Sequence, residues 1–266
     1  MKLLGGVHTR WDSRFVRKDF GRDGHTDPGE AAALAHLEPV LDGARVLDLG
    51  VGKGRTTTLI APRAASYIGL DISPGMIDGA RERHPGADLR VGDARRLDGI
   101  ADASVDVVVF SFNGIDAVSH EDRAKVMAEI ARVLVPGGRA LISSLNLRGP
   151  AFGETPATAR STTHPLRERS RNPRRYAGAA YHRAQAELYF RRNVGRAREG
   201  DGWAAWPMAA HDFRFVVHFT DLGPFVRSLA EHGLRAERGW ASEGGELDLA
   251  AERTDADFMH VVSVRD

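Results

Sequence analysis

Residues 46–55 read VLDLGVGKGR, a short apolar run, an acid, and then glycine at every second position: Gly50, Gly52 and Gly54. An apolar run that breaks into glycines and gives way to helix-spaced residues is the first half of a βα unit, with the chain turning tightly at the strand's carboxyl end. Glycine there lets the backbone take up dihedrals that other residues resist and lets a ligand approach the main chain closely. The spacing narrows the choice of ligand. A dinucleotide fingerprint is G-x-G-x-x-G, but the sixth position from Gly50 is Arg55. A P-loop needs Ser or Thr directly after its lysine, but Lys53 is followed by Gly54.

Asp48 adds an electrostatic argument. A carboxylate at this strand end would repel a pyrophosphate seated at the next helix N-terminus. It suits a ligand that carries positive charge and no phosphate, as S-adenosylmethionine (SAM) does with its ammonium and sulfonium groups. Two further strand ends agree. Asp71 closes YIGLD (67–71) and can accept both ribose hydroxyls, an arrangement shared with NAD-binding folds. Gly92-Asp93-Ala94 closes the next run, where a carboxylate can take the adenine amino group and a backbone amide a ring nitrogen. The glycine spacing and Asp48 together disfavour an NAD-dependent oxidoreductase.

The rest of the chain sets these strand ends in one fold. Apolar runs at 44–50, 66–71, 87–93, 104–112 and 139–145 alternate with helix patterns at 54–63, 74–84 and 120–134. Ser119 and Asp122 open the last of these as in a capping box, and Pro136-Gly137-Gly138 is expected to stop it. Strands alternating with helices of this length give parallel βαβ units, and continuous apolar strands give a sheet covered on both faces. A helix is expected over 29–41, its last turn disturbed by Pro39, behind a polar leader anchored by Trp11 and Phe15. After residue 148 the composition changes: residues 148–210 hold twelve arginines against four glutamates and one aspartate. A helix is expected over 181–199, a strand over 213–219, a helix over 221–232 capped by Thr220, and strands over 234–241 and 258–265.

VLDLGVGKG, YIGLDIS, VGDARRL, SVDVVVFSF and VLVPGGRALIS together resemble successive motifs of the class I SAM-dependent methyltransferases, and most closely their small-molecule, ubiquinone-biosynthesis-type branch. The resemblance covers residues 40–147 well and 212–265 more loosely. Val51 and Lys53 depart from it by replacing smaller or more polar residues; Lys53 puts a cation near the methionine end. It implies an α/β, Rossmann-like seven-stranded sheet, mostly parallel with an antiparallel last strand, helices on both faces and a lid insertion. Residues 1–147 would be the leader and SAM-binding core, 148–211 the acceptor-side lid, and 212–266 the completion of the core. The resemblance also implies that Asp48, Gly50, Gly52 and Gly54 surround the methionine portion and that Asp71 holds the ribose. Ile72 and Met76 would pack near adenine, Asp93 and Ala94 would meet its edge, and Phe110, Ser111 and Phe112 would lie beneath the cofactor. S-adenosylhomocysteine would be the product.

Methyl transfer from a sulfonium is an in-line displacement, served by proximity and orientation and by a base only where the acceptor must lose a proton. Asn113, Asp116 and His120 follow the fourth strand, where an acceptor would sit. Within the lid, Tyr181, Trp203 and Trp206 are candidate acceptor walls. His211 is a candidate base with a pKa near working pH, and His182 is a second. The arginines interleaved with tyrosines suit an anionic acceptor or single-stranded RNA. A net charge of +1 weighs against nucleic acid as the partner. The chain has no cysteine, hence no disulfide or thiolate metal site, and it shows no metal-ligand cluster. No run approaches the length of a membrane span, and no secretory signal stands out, so a cytoplasmic enzyme acting on a small-molecule acceptor is expected. An RNA- or protein-directed methyltransferase and a non-catalytic SAM-binding module are the alternatives.

Overall fold

The computed structural model describes residues 24–112, 114–159 and 173–266. Asn113, Trp11 and Phe15 lie outside the described residues. In chain order the elements are α1 (Pro28–Leu41), β1 (Arg45–Leu49), α2 (Thr57–Ile60), β2 (Ser66–Asp71), α3 (Pro74–Arg83), β3 (Asp88–Val91), β4 (Val105–Phe110) and α4 (His120–Val133). There follow β5 (Leu134–Leu145), α5 (Pro173–Val194), β6 (Arg198–Gly200), β7 (Trp203–Pro207), β8 (Val216–Thr220), α6 (Leu222–Ala230), β9 (Leu234–Ala241) and β10 (Phe258–Arg265).

Seven strands form one sheet in the order β3-β2-β1-β4-β5-β10-β9. Strands β1 to β5 pair in parallel, and β10 runs antiparallel to both its neighbours. This is the architecture expected from the sequence. Strand parity divides the core, because successive side chains face opposite sides of a sheet. Val46, Val107, Val109 and Leu141 pack on one face with Leu37 of α1 and Ile77 of α3. Leu47, Leu49, Val108 and Ile142 pack on the other with Met127 and Ile130 of α4 and Phe225 of α6.

Several local expectations are corrected. The helix expected over 54–63 is a single turn, Thr57–Ile60. Thr56 and Thr57 are poor helix formers, their hydroxyls are committed to Asp48 and Tyr67, and Pro62 follows. Pro39 is accommodated inside α1, which runs on to Leu41. Pro136-Gly137-Gly138 does not separate a helix from a later strand. β5 starts at Leu134, which pairs with Val105, and the next pair is Val107 with Arg139, so the Pro-Gly-Gly turn bulges out of a continuous strand. The α6 N-cap is Asp221. The Thr220 hydroxyl instead donates toward backbone carbonyls of Gly202 and Asp221.

The segment after β5 builds a cap. Strand β8, expected beside the core strands, pairs with β7, and β7 with β6, in a separate three-stranded antiparallel sheet. The boundary expected at 211/212 therefore falls inside this small sheet. Thr220 joins it to the large one: its carbonyl accepts from Leu147 N at 3.1 Å, just beyond the end of β5. Among the described residues no helix is long and apolar enough to cross a membrane.

Candidate active site

The carboxyl ends of β1, β2 and β4 meet at the glycine loop. Gly50, Gly52 and Gly54 all have positive φ, +64°, +56° and +86°, in the left-handed region that costs other residues about 1–2 kcal/mol. Gly52 and Gly54 serve different ends. A Cβ on Gly52 would meet nothing nearer than the Gly50 carbonyl oxygen at 4.0 Å, so the loop presents bare backbone to open space, the cradle a ligand needs. A Cβ on Gly54 would collide with the His84 ring, so that glycine lets the loop close onto the C-terminal end of α3. The stem of Lys53 lies against Gly79 of α3.

Two carboxylates hold the loop. Asp71, at the end of β2, accepts from Gly52 N at 2.9 Å through one oxygen and from Ser73 N at 2.8 Å through the other. These two bonds fix the carboxylate at the mouth of the loop, at the end of β2 where a cofactor ribose would lie. Asp48 is buried beneath the loop, where Oδ2 accepts from Thr56 Oγ1 at 2.5 Å and from the Tyr67 hydroxyl at 2.8 Å. Burial pushes its pKa up to about 6 against the pull of those two hydroxyls. Its charge therefore acts from below, through the loop, and not by the direct contact the sequence suggested.

The end of β4 forms the floor. Phe110 is buried and its ring fills the space that Gly50 and Gly114 leave by lacking side chains. Ser111 is buried, and Phe112 has φ +56°, an outlying conformation for a bulky residue. The Arg55 guanidinium stands 4.3 Å from the Phe112 ring centroid. On the far side, Asp93 is clasped by Arg95, whose Nε and Nη2 reach its two oxygens at 2.9 and 2.6 Å. Arg95 also pairs with Asp122 at 2.8 Å. A carboxylate so engaged is not the open acceptor for an adenine amino group that the sequence suggested. Ala94, next in the chain, and Ile72, just after β2, are half-buried.

A roof of apolar side chains covers this edge. Met76, at the start of α3, shares one buried cluster with Leu145 and Phe258 from the large sheet and Met208, Phe215, Val217 and Phe219 from the cap. The roof thus reaches from the β5 side of the crevice to the β2 side. His211 lies in the β7–β8 loop, edge-on to Phe215 at 5.4 Å between ring centroids. Burial pushes its pKa down to about 4, well below the near-neutral value expected from sequence.

Of the other lid candidates, Trp206 reaches the roof and packs against its cluster, while Trp203, Tyr181 and His182 lie elsewhere. Trp203 and Trp206 are three apart on β7, so they face opposite sides of the small sheet. Trp206 packs with Phe152 and Phe190 and donates to the Glu154 carbonyl at 3.0 Å. Trp203 stacks on His120 at 3.7 Å, and His120 hydrogen-bonds His218 at 3.0 Å. Tyr181 is 60% exposed on α5 and accepts from Gln185 of the same helix. His182 is exposed beside it. Neither belongs to the roof cluster. Asp116 is buried under α4, paired with Arg123 at 2.9 Å, and bonded to Ser144 Oγ and Leu145 N at 2.6 and 2.8 Å.

Sequence reasoning missed Arg55, Glu30, Thr56 and Tyr67. The signal for Glu30 was present: it stands on the Ala33–Leu37–Leu41 stripe of α1, and an acid on an apolar stripe needs a buried partner. Arg55 supplies it, with Nη1 and Nη2 each 2.7 Å from a Glu30 oxygen.

Comparison with known proteins bears on the fold and the domain. Residues 46–138 match the family model described as a methyltransferase domain. The chain is 40% identical over 146 residues to the biotin biosynthesis bifunctional protein BioHC of Cellvibrio japonicus, covering 52% of this chain and 28% of that protein. It is 34% identical over 140 residues to a trans-aconitate 2-methyltransferase of Methylobacterium nodulans, covering 49% of this chain and 52% of that one. The chain thus spans about half or less of the length of these relatives. In fold it is similar to the CcbJ methyltransferase of Streptomyces caelestis, with a TM-score of 0.60 at 16% identity over 97% of this chain and 98% of that one. Residues 46–138, the stretch similar to a methyltransferase domain, hold the glycine loop, Asp71 and the floor of the crevice. Small-molecule methyltransferases are among the relatives of this chain.

Proposed function

We propose that the protein transfers a methyl group from SAM to a small-molecule acceptor by direct displacement, releasing S-adenosylhomocysteine. The observation that carries this reading is the bond from Gly52 N to Asp71. That amide is the group a phosphate-binding loop would offer to its anion, and here a carboxylate already takes it, with a second carboxylate, Asp48, buried below. A pyrophosphate would meet two negative charges, whereas a cationic, phosphate-free cofactor is attracted by both.

When bound, SAM supplies the electrophilic methyl group. The chain's own residues do the rest. The glycine loop and the Asp71 carboxylate orient the cofactor, and Phe110 to Phe112 form the floor. The cap cluster around Met208 and Phe215 excludes water from the crevice. The roof is apolar, and His211 is a neutral imidazole at physiological pH, able to accept a proton or hydrogen bond from an acceptor hydroxyl. We therefore favour oxygen of an uncharged or weakly acidic acceptor over nitrogen, and keep a cytoplasmic setting as part of the proposal.

Incubation with methyl-labelled SAM and representative alcohols, phenols, carboxylic acids and amines tests this reading. Label on an oxygen acceptor is expected; a protein that binds SAM yet labels no class would be a non-catalytic module. With a responsive acceptor, kcat/KM should show no histidine inflection near pH 6.5 and should turn down only toward pH 4, as His211 takes up a proton. An inflection near 6.5 that disappears in His211→Gln would show an unburied histidine and contradict the roofed site.

A further inference from the structure

Arg55 follows the last glycine of the loop and contacts three other parts of the chain. Its two terminal nitrogens fork onto Glu30, whose side chain is fully buried. Nη1 also donates to the His25 carbonyl at 2.5 Å, and Nη2 reaches Ser111 Oγ at 3.2 Å. The guanidinium covers the Phe112 ring, and Phe258 meets that ring edge-on at 6.1 Å. Glu30 is itself fixed. Its amide donates to Asp27 at 2.8 Å, Asp27 meets His260, and His260 meets Ser143 Oγ at 2.8 Å, so a polar chain runs from β5 and β10 through the start of α1 to the glycine loop.

A phenylalanine in the left-handed region costs free energy and persists only where its surroundings over-determine it. Around Phe112 those surroundings include the planar fork of Arg55 and the rings of Phe258 and His25, each edge-on to it. A planar fork can satisfy both Glu30 oxygens and stack on a ring at once; a lysine ammonium cannot. We infer that Arg55 is a positioning residue: locked on Glu30, it holds the end of β4 in the strained conformation that shapes the floor of the cofactor crevice. This rests on the reading of that crevice as the SAM site.

A double-mutant cycle read by calorimetric titration with S-adenosylhomocysteine tests it, on variants whose folding is confirmed by circular dichroism and cooperative melting. Glycine adopts positive φ freely, so Phe112→Gly removes both the ring and the need for the clamp. Arg55→Lys alone should weaken binding about tenfold. The same substitution in Phe112→Gly should weaken it less than about twofold further, because what Arg55 holds is gone. Equal losses in both backgrounds would overturn the inference and make Arg55 a fold-stabilising ion pair only. If Arg55→Lys does not fold, Glu30→Gln, which keeps the shape and weakens the fork, reads the same coupling. Absence of binding by the unsubstituted protein would instead refute the SAM reading itself.

Discussion

Asp71→Ala should leave a folded protein that binds S-adenosylhomocysteine at least about 100-fold more weakly than the unsubstituted chain. Two ribose hydroxyls donating to a carboxylate are charge-assisted hydrogen bonds, worth about 1.5–3 kcal/mol each, and each 1.4 kcal/mol is a factor of ten. The substitution also frees Gly52 N and Ser73 N from their acceptor, so the loop that cradles the ligand loses its anchor. Asp71 is only half-buried, so water can replace it in the free protein and the melting temperature should fall by only a few degrees. Asp71→Asn, which keeps one acceptor oxygen, should lie between the two. Calorimetry on the three proteins checks the order; unchanged affinity in folded Asp71→Ala would refute the ribose assignment.

The largest effect on stability is expected at Arg123. It is 5% exposed and Asp116 1%, and their pair sits where β5 meets the turn before α4. Arg123 Nη1 reaches Asp116 Oδ1 at 2.9 Å and the Ile115 carbonyl at 3.2 Å, and Nη2 reaches Ser144 Oγ at 3.3 Å. Arg123→Met strands a buried carboxylate, which costs about 3–5 kcal/mol, a large share of a typical stability of about 5–15 kcal/mol. A fall in melting temperature of about 10 °C is expected. Burial already pushes the Asp116 pKa up to about 6 with Arg123 present, and losing the cation pushes it higher. A carboxyl with a raised folded pKa contributes stability below its unfolded value of 3.8 and loses it as pH rises through the folded value. The deficit of Arg123→Met should therefore be smaller at pH 5 than at pH 8, and Asp116→Asn in that background should recover much of it. Thermal melts at the two pH values check this; a deficit independent of pH and not relieved by Asp116→Asn would mean that lost packing dominates.

The sheet was legible in the sequence because its strands are continuous apolar runs with two-residue parity, and both faces could be covered only by the intervening helices. The glycine loop and Asp71 were legible for a similar reason: each is a local signal at a strand end. What misled was side-chain chemistry that depends on distant partners. The residues after Gly54 read as a helix because nothing local shows that Thr56 and Thr57 are committed to Asp48 and Tyr67. Asp93 read as an open carboxylate although Arg95 stands only two residues away. Trp203 and Trp206 read as one wall until β7 set them on opposite faces. Val216–Thr220 has the same apolar character as a core strand, and only its pairing with β7 places it in the cap. Arg55 registered merely as the residue that breaks a dinucleotide fingerprint, because its role depends on Glu30 and Phe112, 25 and 57 positions away in sequence.

Asp48 and Asp71 are proposed to make the crevice at the glycine loop select a cationic, phosphate-free cofactor. Calorimetric titration of the purified protein with S-adenosylhomocysteine, beside NAD under the same conditions, tests this most directly. Micromolar binding of the former with no heat from the latter is the expected result. Binding of NAD in preference, or of neither ligand by a folded protein, would contradict the reading of Asp48 and Asp71 as the charges that select the cofactor.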